Sequence, residues 1–270
     1  LNFKRSDKID SDISFNIDKS LSNEEYKIII DKNVFVTGGS YNAISMAKSS
    51  LIQMFKLKNN ETLILPKSKI FDKPDSSYRG LMIDLSRMWH DLESIRNVID
   101  LASLYKIKYL QLHLSDDQAF VFPSDSFPNL PTPDRPYTKK DFIELVEYAK
   151  IRGVTIVPEI DVPGHSRQFI ETYPEIFDVN NGVKKSNVIN IANEKVYSAL
   201  DQIIGEVAEV FHSSPFIHMG ADEAKLNLYK NVKEVKLFMN KNKLGNDVHE
   251  LYIYFIFRIN EIVKKYDKQM

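Results

Sequence analysis

After Tyr78 the chain repeats one pattern four times: a short apolar run, a polar cluster, then an amphipathic stretch. This alternation constrains the fold more than any other feature. An apolar run without polar alternation is a strand buried on both faces, and an intervening helix lets the next strand run parallel to it. The apolar runs are residues 81–85, 109–114, 155–160 and 216–219. The stripes between and after them are Ile95, Val98, Ile99 and Ala102; Phe142, Leu145, Val146 and Ala149; Leu200, Ile203, Ile204, Val207 and Phe211; and Val248, Leu251, Tyr252, Phe255, Ile259 and Ile262. Their spacing is helical. Thr138 and Asp141 predict a capping box at the start of the second helix, and Gly153 marks its end. Four successive βα units predict a parallel sheet or TIM-type barrel.

Residues 1–77 read as a separate small α/β unit. Runs 13–17, 26–30 and 34–37 are β-prone and separated by polar turns. Gly38-Gly39 breaks the chain, Ser40 can cap a helix, and Ile44, Ala47, Leu51, Met54 and Phe55 form its apolar stripe. Gly38-Gly39 lacks the glycine pattern and lysine of a phosphate loop, so it reads as a turn. Residues 63–65 add a strand, and 66–77 read as a linker to the domain at 78–270. Composition is that of an ordinary globular chain, with 43% apolar residues. A net charge of −1 points to neither nucleic acid nor an anionic membrane as partner. No apolar run reaches membrane-spanning length. The absence of cysteine excludes disulfides and zinc–thiolate sites. Leu1 without a following signal peptide reads as the start of a processed or recombinant fragment.

If the four strands are parallel, their polar ends share one face. Those ends are Asp84-Leu85-Ser86-Arg87, His113-Leu114-Ser115-Asp116-Asp117-Gln118, Glu159-Ile160-Asp161-Val162-Pro163-Gly164-His165 and His218-Met219-Gly220-Ala221-Asp222-Glu223. A parallel barrel keeps its chemistry at that end of its strands. Two adjacent acids repel, which raises the pKa of one and suits it to general-acid work. The plain alternative for Asp222-Glu223 is a surface loop after a buried strand. For Arg87 it is a rim ion pair with Asp84, and for Asp116 a loop cap. His90, His212 and His249 fall on or beside helices and read as structural or exposed.

These four segments, beginning with Arg79-Gly80-Leu81-Met82-Ile83-Asp84-Leu85-Ser86-Arg87, resemble the β-N-acetylhexosaminidases of glycoside hydrolase family 20. Residues 24–65 resemble the small domain that precedes the barrel in many members. The resemblance implies roles. Glu223 would be the general acid and then the base, and Asp222 would hold the substrate acetamido N–H. Arg87 would bind sugar hydroxyls. Asp116 and His165 would form a pair that tunes Glu223, with Glu159 and Asp161 in support. Asp222 and Glu223 are neighbours on one loop and ill placed to flank a scissile bond as two separated carboxyls, which favours attack by the substrate's own acetamido oxygen. The partner implied is a glycan or glycoconjugate bearing N-acetylhexosamine, with no metal or other cofactor. The implied compartment is secreted, periplasmic or lysosome-like.

The chain departs from the family in carrying Ala119-Phe120 where tryptophan is common, and Trp89 is its only tryptophan. Four βα units are counted before Met270, where a whole barrel has eight. The expectation is therefore an N-terminal portion or a truncated relative. Such a half-barrel alone would be a poor hydrolase and would pair as a homodimer or aggregate. Two other function classes stay open. One is a metal-dependent barrel hydrolase using His113, Asp116, His165, His218 and Asp222. The other is a non-catalytic carbohydrate-binding relative.

Overall fold

The computed structural model describes residues 12–59, 62–180 and 186–270. The first eleven residues of the 1–77 unit thus lie outside the described residues. The chain divides into two compact units. One takes in the described chain up to Gly80 with residues 97–109 and 149–154; the other takes in 81–96, 110–148 and 155–270.

In the first unit, strands β1 (Ile13–Ile17), β2 (Tyr26–Ile30), β3 (Val34–Gly38) and β6 (Ser68–Asp72) form a sheet of order β1-β3-β2-β6. β1 runs parallel to β3, and the other two pairings are antiparallel. β4 (Lys56–Asn59) and β5 (Thr62–Ile64) pair with each other. Helix α1 (Tyr41–Met54) is capped by Ser40, whose side chain accepts from the Ala43 N–H. Its face Ala43, Met46, Ala47 and Leu51 packs in one buried core with Tyr26, Ile28, Ile30, Val34 and Val36. Gly39 is required where it stands, because a Cβ there would meet the Ser22 carbonyl at 1.9 Å. The Ser45 hydroxyl donates to the Arg152 carbonyl and that of Ser49 to the Ser103 carbonyl. β6 falls where the sequence reads as a linker. Prolines flank it and Lys69 interrupts it, but edge strands tolerate both.

In the remainder, β7 (Gly80–Asp84), β8 (Tyr109–His113) and β9 (Thr155–Glu159) form a sheet in that order. Helix α2 (Leu92–Leu104) connects the first two and α3 (Lys139–Lys150) the next two. Backbone bonds join like ends: Tyr109 N to Arg79 O at the start, and Leu85 N to His113 O and Leu114 N to Glu159 O at the finish. The three strands therefore run the same way. The fourth run, 216–219, is not a continuous strand. It is held beside β9 by His218 N to Pro158 O, Ile160 N to His218 O and Val162 N to Met219 O, and its bridge to Glu159 is parallel. Pro158 has no N–H to give, which helps keep that ladder short.

Helices α4 (Arg167–Thr172) and α5 (Pro174–Phe177) follow β9, and α6 (Glu194–Val210) buries Val196, Leu200, Ile203, Ile204 and Val207. After the fourth run come a 3-10 turn (Leu226–Tyr229), α7 (Lys233–Lys241) and α8 (Val248–Lys265). Each fully buried aliphatic or aromatic chain on these faces contributes roughly 1.5–3 kcal/mol relative to exposure. The capping box at α3 forms: Thr138 N donates to Asp141 Oδ2 at 2.8 Å and Asp141 N to Thr138 Oγ1 at 3.1 Å. The fold is a small α/β unit followed by the first four parallel βα units of a TIM-type barrel. Among the described residues, no helix is long and apolar enough to cross a membrane.

Candidate active site

The aligned ends of the strands bring their polar residues together. Arg87, just after β7, spans two carboxylates: Nη1 meets Asp84 Oδ2 at 2.7 Å and Nη2 meets Asp116 Oδ2 at 2.6 Å. The rim ion pair with Asp84 thus exists beside the contact to Asp116. Asp116 is only 2% exposed. Besides Arg87, its Oδ2 takes a hydrogen bond from His113 Nε2 at 2.9 Å, and its Oδ1 accepts from Asp117 N. Burial works against the Asp116 charge, but its hydrogen bonds with His113 and the Asp117 N–H, together with the Arg87 guanidinium, outweigh burial and hold its pKa low.

Behind Asp116 lies a second buried acid. Glu159 ends β9, accepts from Gln111 Nε2 at 2.7 Å, and sits 3.1 Å from His113 Nδ1. Burial opposes charge on both partners. The hydrogen bond to Asp116 and the adjacent Glu159 carboxylate nevertheless push His113 up to about 10, and His113, His218 and Gln111 hold Glu159 well below the carboxylate range. His113 is therefore a buried cation between two anions at neutral pH.

His165 connects this network to the last loop. Its Nδ1 lies 3.3 Å from Asp116 Oδ1, and its Nε2 lies 3.7 Å from Asp222 Oδ2 and 3.4 Å from Glu223 Oε2. Asp116 and His165 thus stand together and face the Asp-Glu pair. The side chains of Asp222 and Glu223 are mostly exposed, at 63% and 78%.

The loop that carries the pair is bent by its backbone. Gly220, Ala221 and Glu223 all have positive φ, at 59°, 69° and 51°, and so does His165 at 46°. Left-handed geometry is costly for residues other than glycine and persists only where the surroundings enforce it. Here they do. Asp161 Oδ1 accepts from Ala221 N at 3.0 Å, and the Tyr252 hydroxyl from α8 donates to the Ala221 carbonyl at 2.5 Å. The Ser115 hydroxyl in turn accepts from Asp161 N at 2.7 Å. Burial, with the nearby charges of Asp222 and Glu159, pushes the Asp161 carboxyl up to about 8. Asp161 is a buried neighbour of the Asp-Glu pair, held beneath the loop that carries it.

Tyr252 is the contributor that sequence reasoning missed. It sits within an apolar helical stripe, and only its hydroxyl distinguishes it from a core residue. His218 is half exposed, with its Nδ1 3.1 Å from Gly220 N and 3.4 Å from Glu159 Oε1. His90, His212 and His249 stay out of the cluster: the His90 carbonyl accepts from Tyr137, His212 pairs with Glu147, and His249 with Asp247. In the Ala119-Phe120 pair both residues are fully buried, Phe120 edge-on against Phe169.

Several triplets of these side chains present donor atoms close enough to hold a metal ion: Asp84, His113 and Asp116; His113, Glu159 and Asp161; Asp116, Asp161 and His165; and His165, Asp222 and Glu223. In the first, Arg87 already supplies the positive charge, and in the second His113 does. Chemically, the whole site offers an accessible acid beside a second carboxylate, backed by a buried histidine–aspartate pair.

Residues 77–270 match the family described as "Glycosyl hydrolase family 20, catalytic domain". The chain is 29% identical to a β-hexosaminidase of Vibrio furnissii over 96% of its own length and 47% of that protein. It is 31% identical to β-hexosaminidase 3 of Arabidopsis thaliana over 77% of its length and 39% of that protein. It superposes with a TM-score of 0.86 and 26% identity on a Vibrio harveyi GH20 exo-β-N-acetylglucosaminidase crystallised with N-acetylglucosamine, covering 95% of this chain and 45% of that one. The chain spans about half the length, or less, of these relatives.

Proposed function

The chain belongs to glycosyl hydrolase family 20, and from that premise we propose that the strand-end cluster is the active centre of a β-N-acetylhexosaminidase. The reaction is hydrolysis of a terminal N-acetylhexosamine from a glycan, with the substrate's acetamido group as nucleophile. The observation that carries this reading is His165, which stands between buried Asp116 and the exposed Asp222-Glu223 pair at 3.3–3.7 Å. In the first step the acetamido carbonyl oxygen bonds to the anomeric carbon while the glycosidic C–O bond breaks. Glu223 gives its proton to the departing oxygen. Asp222 accepts from the acetamido N–H and aligns that group for attack. In the second step Glu223 takes a proton from water, whose oxygen bonds to the anomeric carbon and frees the acetamido group. Arg87 holds sugar hydroxyls with its planar donor fork. Asp116 orients His165, and His165 positions and tunes Glu223.

The family match and the hexosaminidase relatives favour this reading over a metal-dependent hydrolase or a binding-only relative. The bound sugar in the Vibrio harveyi structure supports the N-acetylhexosamine class. Residues 78–270 are proposed as the catalytic domain and 1–77 as an accessory one. The test is turnover of an aryl N-acetyl-β-glucosaminide by the enzyme that carries this chain. Glu223→Gln should lower it by about 10²–10⁴-fold, the usual worth of general acid–base catalysis. Near-normal turnover removes Glu223 from the role.

A further inference from the structure

His165 has one ring nitrogen engaged and one left over. Asp116 Oδ1 lies 3.3 Å from Nδ1, and because a carboxylate can only accept, this contact favours the tautomer with its proton on Nδ1. Nε2 then presents a lone pair. It is buried without a hydrogen-bond partner, on a side chain only 10% exposed. It faces Asp222 Oδ2 and Glu223 Oε2, two more acceptors. Three acceptors converge, and what balances such a triangle is a cation.

We infer that His165, Asp222 and Glu223 form a site for a borderline divalent metal ion, Zn²⁺ or Cu²⁺, that blocks the enzyme when filled. The spacing fits. Two atoms each ~2.1 Å from a zinc ion at the tetrahedral angle lie about 3.4 Å apart. The observed separations from Nε2 are 3.4 and 3.7 Å. The donor set of one imidazole and two carboxylates suits Zn²⁺ and Cu²⁺, whereas Mg²⁺ demands octahedral oxygen. Behind the histidine stands the carboxylate that zinc-binding imidazoles ordinarily use to fix tautomer and ring angle. Asp116 is itself fixed by His113 and Arg87. The exposed side of the triangle leaves a fourth position for water. This metal takes no part in the reaction: it occupies the place of the proton that Glu223 delivers, and binding to the protonated form releases that proton. The inhibition rests on the proposed function; the binding does not.

Isothermal titration of the chain with ZnCl₂ alone should give one saturable site, with no comparable site for MgCl₂. His165→Ala and Glu223→Gln should each weaken it at least tenfold. Asp116→Asn, which changes no ligand, should weaken it about 10–100-fold. His212→Ala should leave it unchanged, since His212 pairs with Glu147 on an exposed surface. Glu223 is exposed, so loss in Glu223→Gln with an unaltered thermal melt is not unfolding. The inference is overturned if zinc does not saturate, if His165→Ala or Glu223→Gln binds as tightly as the parent, or if Mg²⁺ binds equally. In the active enzyme, zinc should inhibit with a midpoint at its titrated affinity, and EDTA should reverse it. An inactive protein that binds zinc contradicts the proposed function and supports the metal site. An active one that does not bind zinc does the reverse.

Discussion

Gly220 is where one added carbon would disturb the site most. Its φ is 59°, and a Cβ there would lie 2.0 Å from Asp161 Oδ1. The same carboxyl holds the loop through the Ala221 N–H. Gly220→Ala must therefore push the loop off Asp161 and displace Asp222 and Glu223, two and three residues on. Displacement of a catalytic group by an ångström can cost about 10²-fold in rate. Turnover of Gly220→Ala should fall by about that factor, with the change mainly in kcat; an unchanged kcat would show that the loop does not position the acid. The sequence points to a Gly beside Asp-Glu, but not to its role. That role depends on a buried acid 59 residues upstream, and no local pattern reveals which carboxyl will end up beneath which glycine.

At the level of elements, periodicity carries far. The stripes Leu145-Val146-Ala149 and Leu200-Ile203-Ile204-Val207 are buried as their spacing predicts. Legibility stops where charge dilutes the pattern or pairing is brief. α7 buries Val235, Phe238 and Met239 among lysines and an asparagine, so its short stripe is easily read as loop. The 216–219 run reads as a full strand because apolarity does not report how many ladder bonds its neighbours can supply. The long connection between β8 and α3 is pinned by an acid that the sequence gives no reason to single out. Glu206 on α6 accepts from Asp125 N at 2.7 Å, Ser126 N at 2.8 Å and the Ser124 hydroxyl, and pairs with Lys139 at 2.9 Å. Burial raises its pKa, but these bonds win and hold it at about 2. A carboxyl depressed in the folded state stabilises it fully above its ordinary value of 4.5, and the gain is lost as pH falls toward 2. Glu206→Gln should cost about 1.5–3 kcal/mol at pH 7, the worth of hydrogen bonds to a charged group. The gap from the parent should close between about pH 4.5 and 2, as read by urea unfolding across pH. An equal gap at both ends would show that the charge is not what stabilises.

The proposed active centre as a whole is a property of four strand ends taken together. Asp84 and Arg87 come from the first, His113 and Asp116 from the second, Glu159, Asp161 and His165 from the third, and Asp222 and Glu223 from the fourth. Once the strands are read as parallel, the sequence suffices to bring these residues to one face. It does not reveal the order of contact within the cluster: Arg87 to Asp116, Asp116 to both His113 and His165, His165 to Glu223. Burial decides that order, because Asp116 keeps its charge only where cations and donors surround it. The acetamido group is the proposed nucleophile, since the loop offers one acid and one orienting carboxylate but no separated second carboxyl. The direct measurement is a rate series on the enzyme that carries this chain, with aryl β-glucosaminides bearing N-acetyl, N-monofluoroacetyl, N-difluoroacetyl and N-trifluoroacetyl groups and the matched 2-hydroxyl sugar. Each fluorine makes the carbonyl oxygen a poorer nucleophile, so kcat/KM should fall step by step and the 2-hydroxyl sugar should be inert. Equal rates across the series would contradict the account.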